Sequence, residues 1–321
     1  MKAVLKKRPA AVAQKSAVSI VTLREALHAF LNQKEDVADA LLCSLLSGGH
    51  VLFEDVPGVG KTTLIKSISK MLGLEMSRIQ CTSDLLPSDI LGVEVFSSRK
   101  EDFSFHKGPV FSNLVFVDEL NRCSPRTQSA LLEAMAEGVV TLNRTTYELP
   151  KPFVVFATQN PSDFVGTYPL PESQLDRFAV KLHLHYPSSP REKEIFQVAS
   201  GDPLQQVASL NVGAPVLEQW QQQAEKVHIS DRVVDYVHRL VDATRNHPSI
   251  RLGVSTRGGV TWIRMARAYA LLMGRDYVIP DDLHALARAC LVHRLVPRNG
   301  ADAVAALQEC LTSTPVEKNV P

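Results

Sequence analysis

A lysine and two threonines follow a glycine-bearing turn in the stretch FEDVPGVGKTTLIKSISKML, residues 53–72. Glycine lets a backbone fold closely around a polyphosphate, and a helix that starts at such a turn points free N–H groups at the anion. A lysine ammonium adds a positive charge, and a threonine hydroxyl is a ligand for Mg²⁺. The turn therefore predicts a triphosphate site with Mg²⁺ at Thr62. Its predicted contact residues are Pro57, Gly58, Val59, Gly60, Lys61, Thr62 and Thr63.

This turn departs at one position from the strict pattern G-x-x-x-x-G-K-[ST], because Asp55 stands where the first glycine is expected. Gly58 and Gly60 are retained. An apolar strand is expected over 50–55, and apolar residues on one face of the following helix indicate that the helix is anchored to a core. The alternative is a chance glycine-rich turn between a strand and a helix. The full strand, loop and helix context favours phosphate binding.

Two carboxylates end a second apolar strand, LVFVDE, at Asp118 and Glu119. Ligands of open α/β sheets bind beyond the carboxyl ends of the strands, so these acids are expected beside the phosphate site. Asp118 would contact Mg²⁺, usually through water, and Glu119 would orient and polarise the attacking water. The alternative is a strand that merely exits into solvent. The absence of an N-K-x-D segment argues against a GTPase.

Asn160 follows a third apolar strand, FVVFATQ, and is the remaining polar candidate at this edge. If its strand neighbours the one that ends at Asp118, its amide would hold the attacking water in line. The alternative is an asparagine that forms a turn before Pro161.

Alternating strand and helix signals surround these residues. They predict a parallel sheet with helices on both faces. A helical segment at 21–46, with a break near Asn32, precedes the phosphate turn, and VVTL with TYEL predicts a hairpin. Beyond Pro187 and Pro190 strand signals largely vanish. A small helical domain is predicted there, with helices at 190–200, 215–227, 230–246, 257–273 and 280–294.

The composition bounds the class of protein. The chain has 321 residues, 45% hydrophobic and 21% charged, which is ordinary for a soluble protein of roughly two domains. No apolar run approaches the ~20 residues of a membrane helix, and no cleavable signal is evident, so we expect a cytoplasmic protein without membrane insertion. The five scattered cysteines indicate buried thiols rather than a zinc site or a disulfide framework.

The charge is unevenly distributed. Six Lys or Arg residues precede the first acid, Glu25, and the rest of the chain holds 29 bases and 34 acids, a net charge of about −5. This part of the chain is mildly acidic and therefore lacks the excess of positive charge that nucleic-acid binding requires. The basic start is either a transit peptide or a disordered leader, and the absence of an arginine-rich amphipathic pattern favours the leader.

Six segments, in this order and spacing, resemble those of the MoxR-like AAA+ ATPases: EDVPGVGKTT, VDELNR, TQSALLEAMAEG, ATQNP, YPLPESQLDRF and STRGG. The resemblance covers roughly Gln33 to Leu295. Magnesium-chelatase ATPase subunits and the gas-vesicle or nitric-oxide-reductase accessory ATPases are similar but less close. Two segments depart from the family: LNQ at 31–33 replaces the common VGQ, and STRGG replaces the more usual SPRA.

The resemblance implies a P-loop NTPase of the AAA+ type, with an α/β nucleotide domain, a C-terminal α-helical lid and assembly into rings, usually hexamers. It also implies roles for individual residues. Lys61 and Thr62 match Walker A, Asp118 and Glu119 match Walker B, Asn160 matches sensor 1, Arg177 matches the arginine finger and Arg257 matches sensor 2. In the alternative interpretations Arg177 pairs with Asp176 or caps a helix, and Arg257 is a surface charge at a helix start.

The expected domain boundaries follow from the resemblance and the local signals. They are a disordered basic leader at 1–20, the AAA+ α/β domain at 21–188, the helical lid at 189–312 and a flexible tail at 313–321. One weaker signal remains. His183 and His185 share one face of a strand without a further ligand nearby in sequence, so packed or solvated histidines are favoured over a metal site.

The resulting hypothesis is a Mg²⁺-dependent ATPase whose cycle remodels or matures a client protein. Glu119 and Asn160 would position water, while Lys61, Arg257 and a neighbour's Arg177 would offset the developing charge. Family members often work with a partner that carries a von Willebrand factor A domain. The hairpin at 139–149 and the insertion at 84–111 are candidate contact surfaces. The alternatives are an ATP-gated scaffold with negligible turnover, and a nucleic-acid motor, which the acidic body disfavours.

Overall fold

The computed structural model describes residues 19–316, except residues 33, 98–100, 144 and 162–165, and except most of 187–206, where it describes residues 189, 192, 193 and 196. The predicted leader up to residue 18, most of the predicted helix at 190–200 and the last residues of the tail therefore lie outside the described residues.

The first part of the described chain alternates helices and strands, as predicted. Its elements are α1 (Ile20–Leu31), α2 (Glu35–Leu46), β1 (Val51–Glu54), α3 (Lys61–Leu72), β2 (Met76–Gln80), α4 (Pro87–Leu91), β3 (Gly92–Ser97), β4 (Asp102–Lys107), β5 (Leu114–Asp118), α5 (Pro125–Glu137), β6 (Val139–Leu142), β7 (Thr145–Glu148), β8 (Val154–Gln159), α6 (Glu172–Leu175) and β9 (Val180–Leu182). The predicted break before α2 is present, since Asn32 ends α1 with φ 39°.

Within the described residues, β1, β2, β5, β8 and β9 form one parallel sheet in the order β2-β5-β8-β1-β9. Its central strands are buried on both faces, which explains why the sequence of β5 reads as a continuous apolar run. β5 lies beside β8, with Leu114 opposite Val154, so the strands that end near Asp118 and Asn160 are neighbours. The predicted α/β fold is confirmed.

Two hairpins in the described chain form separate two-stranded sheets. β3 pairs with β4, and β6 pairs with β7, as the VVTL and TYEL segments predicted. The hairpins contact each other through stacked Phe105 and Tyr147 rings, 4.1 Å between centroids. Farther along the first hairpin, Phe96 and Phe103 pack edge to face and are 52% and 63% exposed. The insertion between 84 and 111 therefore carries an exposed aromatic pair.

The second part of the described chain is mainly helical. Its elements are α7 (Gly213–Lys226), α8 (Asp231–Asn246), β10 (Ile250–Leu252), α9 (Thr256–Leu272), α10 (Pro280–Leu291), a 3-10 turn (Val292–Arg294), β11 (Val296–Pro297) and α11 (Ala303–Ser313). The helices predicted after residue 214 are confirmed, whereas α11 and the short β10–β11 pair were not predicted individually. No helix among the described residues has the length and apolar content of a membrane span.

The cysteines differ in part from the expectation. Cys43, Cys290 and Cys310 are buried thiols, as expected, but Cys81 and Cys123 form a disulfide with their Cα atoms 5.1 Å apart. They are 42 residues apart in sequence and meet because β2 and β5 are adjacent strands. The expectation that all five are thiols was therefore wrong, since this pairing depends on the strand order of the sheet.

A buried histidine joins β1, β8 and α5. Val155 N–H donates to His50 Nδ1 at 3.0 Å, and His50 Nε2 donates to the Met135 carbonyl at 3.1 Å. Burial lowers the pKa of His50 to about 4, although the hydrogen bond to Met135 opposes that shift. The ring is therefore neutral in the folded state at pH 7.

Acidification should destabilise the fold through His50. Between pH 6.5 and pH 4 the unfolded chain binds a proton at His50 that the folded chain does not, so stability falls as the pH falls, by about 3 kcal/mol over the whole window. Urea unfolding at pH 7 and pH 4.5 measures this loss. A His50→Asn variant should lose that part of the pH dependence, while the exposed control His238→Asn should keep it. Equal pH slopes in wild type and His50→Asn would contradict the prediction.

Candidate nucleotide-binding site

The loop between β1 and α3 has the geometry of an anion cradle. Gly58 and Gly60 have φ values of 84° and 93°, a region that favours glycine, and open space surrounds the position of a Cβ at either residue. α3 begins at Lys61 and runs for 12 residues, so its free N–H groups point toward the loop. The apolar face of α3 is buried against the sheet, as predicted.

Lys61 is held inside this loop by backbone oxygens. Its Nζ donates to the carbonyls of Asp55 at 2.8 Å and Val56 at 3.2 Å. Burial lowers the pKa of Lys61, and the carboxylates of Asp55, Asp118 and Glu119 oppose that shift. The ammonium therefore lies among groups that favour its charged form, next to the predicted phosphate position.

Asp55, the residue that departs from the strict loop pattern, has a structural role. Its side chain is buried and accepts the backbone N–H groups of Leu184 at 2.6 Å and His185 at 3.0 Å. These bonds tie the start of the phosphate loop to the chain that follows β9. A glycine cannot make them, so this substitution strengthens the support of the loop. Sequence reasoning did not identify this role, because the two partners are about 130 residues away.

The two predicted acids lie at the end of β5 and share one hydroxyl. Thr158 Oγ1 donates to Asp118 Oδ1 at 2.9 Å and accepts the backbone N–H of Glu119 at 2.8 Å. Glu119 is in the left-handed region, φ 57° and ψ 49°, which is uncommon for a residue with a Cβ and occurs often at functional sites. Thr158 therefore fixes Asp118 and Glu119 relative to each other.

β2 supplies two further polar groups that sequence reasoning missed. Arg78 Nη2 donates to Asp118 Oδ2 at 2.8 Å, and Gln80 Nε2 donates to Glu119 Oε2 at 3.3 Å. The pair has a signal in the sequence, because Arg78 and Gln80 alternate and so point to the same face of a strand. Only the β2–β5 register, in which Gln80 lies opposite Asp118, brings that face to the acids.

A cavity of about 330 Å³ brings most of the predicted site residues together, and this volume is in the usual range for small-ligand sites. Its lining consists of Asp55, Pro57, Gly58, Gly60, Lys61, Thr62, Thr63, Asp118, Glu119, Thr158, Gln159 and Asn160. Val59 is the predicted loop residue that is not in this lining, since its side chain packs against the core.

The oxygen atoms of this cavity fit Mg²⁺. Mg²⁺ takes oxygen ligands and is usually held by one or two carboxylates together with substrate phosphates. The Thr62 hydroxyl and the Asp118 carboxylate are oxygen donors at the same cavity. Among the described residues, no group of three or more His, Cys, Asp and Glu side chains is arranged to hold a metal. The donor set therefore suits an ion that arrives with a triphosphate.

Arg177 and Arg257 are not among the residues that line this cavity. Arg177 precedes β9, whose first residue, Val180, lies opposite the first residue of the parallel strand β1. The phosphate loop follows the other end of β1, a strand of four residues that spans ~13 Å. Arg177 therefore lies at the opposite edge of the sheet, where its Nη1 donates to the Leu132 carbonyl at 2.6 Å.

Arg257 lies on the same side of the molecule as Arg177. It is exposed in the first turn of α9, and the cap of that helix, Ser255, donates through Oγ to Asp176 Oδ2 at 2.8 Å. Asp176 is the residue next to Arg177. The hydrogen bond between Ser255 and Asp176 therefore brings together the two backbone segments that carry the predicted arginines, and neither arginine lines the cavity of its own subunit.

His183 and His185 have stacked rings with centroids 5.7 Å apart. His183 Nε2 is 3.8 Å from Glu54 Oε2, and Lys181 pairs with the same carboxylate at 2.7 Å. The charge of Glu54 is thus already matched by a lysine. The arrangement is a partly exposed polar cluster at the end of β9.

A strand, a glycine-bearing loop and a helix that face two acids on a neighbouring strand, followed by a helical lid, define a P-loop ATPase of the AAA+ class. Comparisons with known proteins agree. The profile of the "ATPase family associated with various cellular activities (AAA)" matches residues 50–180, and that of the AAA lid domain matches residues 242–310.

Individual relatives define the family. The chain is 40% identical to Chaperone MoxR1 of Mycobacterium tuberculosis over 82% of this chain and 72% of that protein. It is 44% identical to the uncharacterized protein YeaC of Bacillus subtilis, over 88% and 90% of the two chains. The crystal structure of a candidate ATPase from Cytophaga hutchinsonii aligns with TM-score 0.82 and 35% identity, over 93% of this chain and 97% of that one. The chain belongs to the MoxR family of AAA+ ATPases.

Proposed function

We propose that this protein binds ATP with Mg²⁺ and hydrolyses it in a ring of identical subunits, most simply a hexamer. The observation that carries the proposal is the cavity that unites the Lys61 loop with Asp118, Glu119 and Asn160. A phosphate cradle, a metal ligand and a group that can polarise water are the parts that phosphoryl transfer to water requires.

Each residue of the cavity is proposed to have a separate role in ATP hydrolysis. Lys61 leaves the carbonyls of Asp55 and Val56 and pairs with the phosphates, while Thr62 and Asp118 hold the metal. Bound Mg²⁺ would neutralise part of the negative charge on the phosphate oxygens. Glu119 accepts a hydrogen bond from the attacking water, and Asn160 holds that water in line. Thr158 keeps the two acids in register, because its hydroxyl contacts both.

Arg177 and Arg257 act on the nucleotide of an adjoining subunit. The support is their position: neither lines the cavity of its own chain, Arg177 precedes β9 at the opposite edge of the sheet, and Ser255, two residues before Arg257, is bonded to Asp176. In the proposed ring, that edge of one subunit faces the cavity of the next. Arg257 is thus proposed to act in trans, together with Arg177, rather than in its own subunit.

The cycle is proposed to remodel or mature client protein complexes, with a partner that carries a von Willebrand factor A domain. Two facts support a client-directed role. A relative covering most of the chain is named a chaperone, and the β3–β4 hairpin exposes the aromatic pair Phe96 and Phe103. Exposed apolar patches of this kind mark interaction surfaces.

Removal of the Lys61 charge tests nucleotide binding and turnover together. Lys61→Ala should weaken binding of a fluorescent ATP analogue by ~10–100-fold, because a charge-assisted hydrogen bond to phosphate contributes about 1.5–3 kcal/mol. Phosphate release from Mg-ATP should fall to background. Lys66→Ala is the matched control, since Lys66 is exposed on the same helix and does not line the cavity.

Two outcomes would contradict the proposal. Equal loss of binding in Lys61→Ala and Lys66→Ala would show that the loop does not hold the phosphates. Tight Mg-ATP binding by wild type without phosphate release, measured at concentrations where the ring forms, would favour the ATP-gated scaffold over the ATPase.

A further inference from the structure

A buried arginine joins the lid to the α/β domain beside Arg177. The side chain of Arg294, in the 3-10 turn after α10, is 1% exposed. Its Nε donates to Asp176 Oδ1 at 2.9 Å, and its Nη2 donates to the Phe178 carbonyl at 2.7 Å. Nη1 reaches the carbonyls of Ala179 and Cys290. One guanidinium thus binds a continuous stretch of the α/β domain that includes both neighbours of Arg177.

Asp176 receives a second bond from the lid. Its Oδ2 accepts the hydroxyl of Ser255, the residue that caps α9 by accepting the N–H of Gly258 at 2.9 Å. Gly258 leaves room for this arrangement, because a Cβ there would lie 2.8 Å from Arg294 Cδ. Both carboxylate oxygens of Asp176 therefore bind lid residues, one at the end of α10 and one at the start of α9.

The two candidate arginines are adjacent in sequence to this junction. Arg177 directly follows Asp176, and Arg257 lies two residues after Ser255. An arginine finger must be placed accurately to act, and a displacement of 1 Å can cost ~10²-fold in rate. The Asp176 carboxylate therefore fixes the backbone next to Arg177 and, through Ser255, the backbone next to Arg257.

We propose that Arg294 and Asp176 form a buried clasp, an ion pair that fixes the positions of Arg177 and Arg257 relative to each other. The α/β domain and the lid would then present these two arginines together to the nucleotide of the next subunit. Arg294 is thus a positioning residue and does not itself contact that nucleotide. The inference rests on the proposed function, because it assumes that the two arginines act in trans.

A conservative change is the appropriate probe, because removal of one partner from a buried ion pair is strongly destabilising. Burial lowers the pKa of Arg294, whereas Cys290 and Asp176 raise it, so the charge is held by its partners. Arg294→Lys keeps a charge for Asp176, but a single ammonium cannot bind the carboxylate and the carbonyls of Phe178 and Ala179 together.

Arg294→Lys should lower the turnover number for ATP by ~10²-fold, because Arg177 and Arg257 would be displaced. The KM for ATP should stay within about twofold of wild type, because the nucleotide cavity of the variant subunit is intact. Mixing it with Glu119→Gln subunits, which cannot hydrolyse but donate intact arginines, should restore turnover. Arg177→Ala mixed in the same way serves as the reference. In the mixed ring, the restored hydrolysis takes place in the cavity of the Arg294→Lys subunit. If the substitution had instead damaged the structure of that subunit, its cavity would stay inactive and mixing would not restore turnover.

Arg275→Lys is the matched control. Arg275 forms a partly buried, bidentate pair with Asp282 inside the lid, on contacts that do not reach Asp176. It should lower the unfolding temperature without a loss of turnover that mixing restores. If Arg294→Lys does not fold, Asp176→Asn, which retains one acceptor for Arg294, decides by the same mixing assay.

The outcomes separate the clasp from the ATPase proposal. Wild-type turnover in the folded clasp variant, or a loss that Glu119→Gln does not restore while Arg177→Ala is restored, would overturn the clasp alone. Absence of phosphate release by wild type would overturn the proposed function itself. Restoration of Arg294→Lys and Arg177→Ala, with no such effect in Arg275→Lys, is the expected result.

Discussion

Glu119→Gln is expected to lower the rate of ATP hydrolysis by ~10²–10⁴-fold while ATP binding persists, because the amide keeps the shape of the side chain but cannot accept a proton from water. The Glu119 carboxylate is positioned for that role by Thr158 at its backbone and by Gln80 and Arg122 at its oxygens. Phosphate release and binding of a fluorescent ATP analogue, measured on the same samples, give the two quantities.

Glu137→Gln is the matched control, since Glu137 is an exposed acid at the end of α5 and lies outside the cavity. Its turnover should equal that of wild type. Equal, slow phosphate release by wild type and Glu119→Gln would refute the assignment of Glu119 as the water-polarising group. It would also favour the scaffold alternative.

The same variant addresses the client. Glu119→Gln with ATP should remain in the ATP-bound state, in which a client is expected to be retained. Proteins that co-purify with Glu119→Gln but not with Glu119→Gln/Phe103→Ser would be bound through the exposed end of the β3–β4 hairpin. Recovery of the same set with both variants would remove Phe103 from the client surface.

Arg177→Ala is expected to lower turnover by ~10³–10⁵-fold, as loss of an arginine finger does in other nucleotide hydrolases, which corresponds to roughly 4–7 kcal/mol of barrier. The physical reason is loss of a positive charge where negative charge develops on the transferred phosphoryl group. Binding of the ATP analogue should change little, because Arg177 is outside the cavity of its own subunit.

Arg251→Ala controls for changes to the same surface. Arg251 forms an exposed ion pair with Glu172, and Glu172 is close in sequence to Arg177. Exposed ion pairs contribute about 1 kcal/mol or less to stability. The turnover of Arg251→Ala should remain close to that of wild type, because Arg251 is exposed and does not line the cavity. Turnover per subunit should rise with protein concentration in wild type, since the arginine comes from a neighbour. Concentration-independent turnover with full activity in Arg177→Ala would contradict action in trans.

The sequence by itself determined the chemistry of the cavity. The phosphate loop, the two acids and Asn160 each belong to a short segment in which a strand ends and a polar residue follows. Strand ends in a parallel sheet meet at one edge, so local patterns were sufficient to predict that Lys61, Asp118 and Asn160 lie together. The hairpin at 139–148 and the lid helices were predicted for the same reason, because their signals are local.

Only the tertiary structure decided which distant side chains support that chemistry. Asp55 binds the chain after β9, Arg78 and Gln80 reach the acids through the β2–β5 register, and Cys81 pairs with Cys123 across the same two strands. The bond between Asp176 and Ser255, at the helix start that carries Arg257, depends on how the lid packs against the α/β domain. Strand order, register and domain packing are set by the summed burial of many apolar residues, so no short segment of the sequence encodes these contacts.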